Sequence, residues 1–120
     1  VAAFLNTQGG ELLIGVTNDG KIKGLEEDYQ HVKDHNRDGF ELFLTDIFLS
    51  ALGRVHSPLI KITFHELEAK DICRVSVGPS DKPVFWKEGR EELFFIRTGN
   101  STRQLSPQET VEYCKKHWKG

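Results

Sequence analysis

The chain has 120 residues, 28% of them charged and 38% hydrophobic, with a net charge of −2. That composition suits one globular domain with a modest core. The longest apolar runs, such as Leu93-Phe94-Phe95-Ile96, fall far short of the roughly 18 residues of a membrane span. Residues 1–53 carry a balance of −5 and residues 54–120 one of +3, so a polyanion would meet the second half. Cys73 and Cys114 make neither a disulfide framework nor a zinc site and read as reduced thiols of a cytoplasmic protein. No signal-peptide pattern is visible, and Val1 in place of Met reads as an internal cut.

In chain order, Val1 to Leu5 reads as the last turn of a helix. Gly9-Gly10 follows, then an apolar run from Glu11 to Thr17 that is expected as a buried strand. The order helix, glycines, strand reverses that of a nucleotide fingerprint, and the negative end of a helix dipole repels phosphate. Gly9-Gly10 is therefore expected to end the helix and turn the chain. Asn18-Asp19-Gly20 is a turn signal, with a short return strand expected over 21–25. Residues 26–37 read as a solvated loop or a turn of helix. Within it His31 and His35 stand four apart, and no Cys or third His nearby completes a metal site. Asp19, Glu26, Glu27 and Asp28 suit a divalent ion by chemistry, but turn and surface acidity explains them more simply.

The clearest helix spans 38–53, with Asp38 and Glu41 as a capping-box-like pair and Gly53 as its end. Phe40, Phe43, Leu44, Ile47, Phe48, Ala51 and Leu52 form its inner stripe. Leu42 and Leu49 fall off that stripe, leaving open a second subunit, an upstream helix, or burial on two sides. Alternation over 58–67 and 72–77 marks an antiparallel pair whose wet face carries Lys61, His65 and Arg74. A second hairpin is expected between 84–86 and 93–97, with Leu93–Ile96 as a central strand. A helix follows from about Pro107 to Trp118, capped by Ser106 and Glu109, with Val111, Cys114 and Trp118 inward. The expected fold is a small α+β domain over 1–120, a mixed or antiparallel sheet built from hairpins with packed helices.

The stretch from Arg97 to Arg103 is expected as a strand-to-helix loop. Asn100, Ser101 and Thr102 offer small polar donors, and an arginine at each end can grip a phosphate. A tight turn whose arginines pair with Glu91 or Glu109 explains the same residues equally well. No nucleophile elbow is present, and neither cysteine has a histidine neighbour that would activate it.

Two segments, AFLNTQGGELLIGVTNDGKIKGL and FFIRTGNSTRQLSPQE, resemble the Schlafen/AlbA-like DNA-binding domain family, in order and over Ala3 to about Tyr113. The resemblance implies nucleic-acid binding, DNA ahead of RNA, in a bacterial transcription regulator or helicase-related protein. For such a binding module the contacts are expected from Arg97 and Arg103 flanking Asn100, Ser101 and Thr102, with Lys61 and Arg74 on the sheet face. It also implies that an N-terminal strand and part of the first helix are missing here. Some relatives look like metal-dependent RNA endonucleases. Two of their acids would lie upstream, and Asn18 takes the place of the third, leaving Asp19 as the one weak catalytic candidate. The expectation is a binding module with no cofactor; a divalent metal enters only under the nuclease alternative, and a dimerisation module is a further one.

Overall fold

The structure, a computed structural model, describes residues 1–17 and 19–118. In chain order the elements are α1 (Ala2–Leu5), β1 (Gly10–Ile14), α2 (Glu26–Tyr29), α3 (Arg37–Leu52), β2 (Ile60–Leu67) and β3 (Lys70–Val77). Then follow β4 (Trp86–Glu88), β5 (Glu91–Leu93), β6 (Phe95–Thr98), β7 (Ser101–Gln104) and α4 (Pro107–His117). Short 3-10 turns cover Lys33–His35 and Arg54–Leu59. The fold is α+β.

The alternating hairpin forms as expected. β2 and β3 pair from Ile60↔Val77 to Leu67↔Lys70. Glu68 and Ala69 turn the chain with φ 53 and 61, the mirror-image turn that matches strand twist. β3 lies in the middle of a three-stranded antiparallel sheet, order β1-β3-β2, and its Cys73, Val75 and Val77 are buried. They face inward with Ile60, Ile62 and Phe64 of β2, under α3.

The first strand departs from expectation. It ends at Ile14, it is an edge strand, and Leu12 and Leu13 are 41% and 47% exposed instead of buried. An apolar run cannot itself distinguish a central strand from an edge. The expected return strand over 21–25 reduces to one bridge, Val16↔Ile22. Residues 26–37 are also more ordered than a solvated loop, because Tyr29 and Val32 reach the core.

α3 begins at Arg37, with the Asn36 side chain accepting a hydrogen bond from the Gly39 N–H at 2.9 Å. Asn36, in extended conformation, takes the cap expected of Asp38, which sits in the first turn and favours the positive helix end from there. Phe40, Leu44, Ala51 and Leu52 are buried, but Phe43 is exposed together with Leu42 and Leu49, so the inner stripe is narrower than its periodicity suggests. Phe40 meets Phe64 and Tyr29 edge-on at 6.3 and 5.9 Å. At the same corner Arg37 donates twice to Asp71, at 2.9 and 2.7 Å, and Tyr29 Oη donates to Asp71 at 2.7 Å.

The run Leu93–Ile96 is not one central strand. It splits at Phe94 into two hairpins, β4–β5 and β6–β7. Phe94 is buried, and its ring lies 5.2 to 6.3 Å from those of Phe85, Tyr113 and Trp118. Phe94, between the two hairpins, is covered by these rings and not by a flanking strand. Ser101–Gln104, expected as loop, is the strand that pairs with β6. α4 carries the Ser106–Glu109 capping box and Pro107 as expected, but Val111 points outward at 54% exposure. Its inner side is Thr110, buried, with Tyr113, Cys114 and Trp118 half-buried.

Candidate nucleic-acid interface

The junction of α1, β6 and α4 is organised by one side chain. Asn6, fully buried, donates from Nδ2 to the carbonyls of Val84 (2.8 Å) and Phe95 (2.9 Å) and accepts from the Val84 N–H (2.8 Å). Tyr113 Oη donates to the Asn6 carbonyl. Leu5 and Trp118 are joined through Ser80, whose N–H donates to Leu5 O (2.8 Å) and whose carbonyl accepts from Trp118 Nε1 (3.0 Å). A buried amide with every strong bond satisfied holds distant segments in one geometry.

Asn6 caps α1 and the Gly9 N–H returns to the Phe4 carbonyl at 2.9 Å; Gly9 itself, at a left-handed φ of +80, then turns the chain into β1. A Cβ there would stand 2.4 Å from Val77 O, and one on Gly10 2.7 Å from the Phe4 ring. The glycine pair is thus scaffold, set by turn direction and by close approach.

That turn forms one wall of a polar cleft of about 640 Å³. Thr7, Gln8 and Gly9 line it on one side, Arg97 and Gly99 on another, and Tyr113 and His117 of α4 on a third. Two segments about ninety residues apart therefore share one concavity. Arg97, half-buried, lies with its guanidinium carbon 5.4 Å over the Phe4 ring, and its Nη1 donates to Thr102 Oγ1 at 3.0 Å. The cation–π contact and that bond hold the guanidinium in place. Among the described residues no carboxylate pairs with it. The exposed His117 ring lies parallel to Tyr113, 5.0 Å between centroids. Burial raises the Tyr113 hydroxyl above its usual pKa, which keeps it a donor to Asn6.

The other expected contacts are dispersed. In the β6–β7 register Arg97 faces Thr102 while Arg103 faces Ile96, so the two arginines lie on opposite faces of the hairpin and do not form the two-ended phosphate grip expected of a loop. The reason is the turn at Gly99-Asn100, with φ +61 at Gly99, which makes 101–104 a strand. Asn100, Ser101 and Arg103 are exposed. Neither arginine forms an ion pair with Glu91 or Glu109 among the described residues. Glu109 is held below its usual range chiefly by the Ser106 backbone and side chain, with Arg103 a minor cause. Lys61 and Arg74 do share the open face of the three-stranded sheet, and Lys61 is exposed. Arg74 is engaged by Glu11, which also lines the cleft and whose pKa that bond lowers.

Asp19 is exposed in its turn, accepting from Thr17 Oγ1 and standing 3.9 Å from Lys21 Nζ. Asn18 lies outside the described residues. Glu26, Glu27 and Asp28 form the first turn of α2, where the helix dipole favours acids. Among the described residues no group of three or more His, Cys, Asp or Glu stands close enough to hold a metal ion. Cys73 and Cys114 are both free, and burial pushes the Cys73 thiol up to about 11.

The α+β fold thus carries a polar, aromatic-walled cleft in which Arg97 and Glu11 both stand. The chain matches the family described as Schlafen, AlbA_2 over residues 1–106 and belongs to that family, which places it among nucleic-acid-related domains. It also shares its fold with the DIP2311 protein from Corynebacterium diphtheriae, at 20% identity and a TM-score of 0.60 over 98% of this chain. The match covers 20% of that protein, so this chain spans about a fifth of its length. No helix among the described residues is long and apolar enough to cross a membrane.

Proposed function

We propose that this chain is a nucleic-acid-binding module, for DNA ahead of RNA, of a bacterial transcription regulator or helicase-related protein of the cytoplasm. The observation that carries the reading is Arg97. Its side chain is half-buried, placed by Phe4 and Thr102, in no ion pair with a carboxylate among the described residues, and lines a cleft walled by both segments that mark the family. A guanidinium so placed is preorganised for a phosphate oxygen pair, which it binds with charge-assisted hydrogen bonds. Lys61 and Arg103 are exposed but lie away from the cleft, on the sheet face and on the far side of the hairpin, and add positive charge that favours a polyanion without gripping it there. Such contacts position the polymer without reading bases, so binding is largely independent of sequence and weakens with salt.

Fluorescence anisotropy with labelled single-stranded and duplex oligonucleotides at two salt concentrations tests this. Arg97→Ala is expected to weaken binding about ten-fold and to flatten the salt dependence by about one contact. Absence of binding to either oligonucleotide at low salt rules the reading out.

A further inference from the structure

The cleft differs from a duplex-binding surface in three respects. It is concave, whereas duplex contacts by sequence-independent binders come from several Lys and Arg arrayed along the phosphates. One arginine faces it, opposed by the carboxylate of Glu11, which is a poor track for two phosphate strands. Its third wall is a ring pair, His117 parallel on Tyr113, with the Trp118 ring edge-on to His117 at 4.6 Å. Tyr113 covers one face of the imidazole, and His117, an exposed residue, lines the cleft.

Resting on the nucleic-acid reading above, we infer that the cleft seats an unstacked nucleotide of a single strand, with Arg97 on its phosphate and His117 against its base. Each part follows from chemistry in place. A ring held parallel on a tyrosine is a stiff plane on which a base of any identity can stack. The guanidinium, stacked in turn on Phe4, fixes the phosphate of the same nucleotide. Gln8 presents an exposed side-chain amide with donors and an acceptor for a base edge. A volume of about 640 Å³ accommodates one such unit, whereas a base within a duplex has both faces covered by its neighbours and offers no plane to His117.

The test uses the purified chain with a fluorescein-labelled oligothymidine of fifteen or so nucleotides and the duplex of the same strand with its complement. Anisotropy is expected to show the single strand bound about ten-fold tighter than the duplex. His117→Ala is expected to weaken single-strand binding about ten-fold while duplex binding stays as it was. His117→Phe, which keeps a ring but cannot carry charge, is expected to restore most of the loss. Far-ultraviolet circular dichroism of each variant shows that α4 is intact. Equal affinity for the two forms, or single-strand binding unchanged in His117→Ala, overturns this inference and leaves the nucleic-acid reading standing. Binding to neither form at low salt overturns both. Loss in His117→Phe equal to that in His117→Ala replaces base stacking with a charge contact and also overturns it.

Discussion

Arg37 and Arg97 occupy comparable corners of the molecule and do opposite things. Both are anchored to an aromatic ring, Arg37 5.9 Å from Phe64 and Arg97 5.4 Å from Phe4. Arg37 then fills its fork with both oxygens of Asp71, tying the start of α3 to β3. Arg97 makes one neutral bond to Thr102, and among the described residues it meets no carboxylate. Fork occupancy thus separates an arginine that holds the fold from one whose fork meets no carboxylate among the described residues, although the two are indistinguishable by type.

That contrast can be broken by substitution. The largest effect belongs to the residue that builds the cleft without facing it: Asn6→Ala strands the Val84 and Phe95 backbone groups and should cost about 3 kcal/mol in urea unfolding, with binding lost in parallel. Asp71→Asn should follow at about 2 kcal/mol, discounted because its partner Arg37 is partly solvated, and it should leave oligonucleotide affinity unchanged.

Hydrogen bonding to Arg37, and then to Tyr29, holds the Asp71 carboxyl below its usual pKa. Its contribution is therefore complete above the unfolded carboxylate value, about 4, and is lost as pH falls through the lower folded value. Urea midpoints measured at neutral pH and in acid should fall less steeply for Asp71→Asn than for the parent. Glu11 and Glu109 are also lowered and keep some of the slope.

Arg97→Ala should show the converse of Asp71→Asn, with about ten-fold weaker binding and a nearly unchanged urea midpoint. A large stability loss there would erase the distinction between the two corners. The smallest effect is expected at Val111, which faces solvent: Val111→Ser should stay within about 0.5 kcal/mol of the parent.

What could be read in advance was what is local. The β2–β3 alternation, the body of α3, and Ser106-Pro107 with Glu109 declare themselves within a few residues, because period and capping are short-range properties. The misreadings needed a distant partner to be known. Phe94 looks like strand until the rings of Phe85, Tyr113 and Trp118 surround it. Ser101–Gln104 is exposed throughout, so no alternation marks it as β7. Tyr29 depends on Asp71, 42 residues on, for the meaning of its hydroxyl. The site divides in the same way. Arg97 stood out by type; Phe4 and Asn6 lay within a segment that marks the family, but nothing in it told that Phe4 lies beneath Arg97 or that Asn6 bonds Val84 and Phe95, and His117 stood in no motif. A polar residue between an apolar run and a glycine pair, as Asn6 is, was the one available signal.

Asn6 also has a bearing on when the molecule can work. Its bonds reach partners 78 and 89 residues away, and the Tyr113 hydroxyl comes back to it across 107. Contacts of such separation close last, after the entropy of the intervening loop has been overcome. On a ribosome the amide emerges well before its partners and waits, unsatisfied, until Val84, Phe95 and Tyr113 have followed. The pocket therefore forms only once α4 has emerged, and a chain cut off before Tyr113 has Arg97 but no wall opposite it.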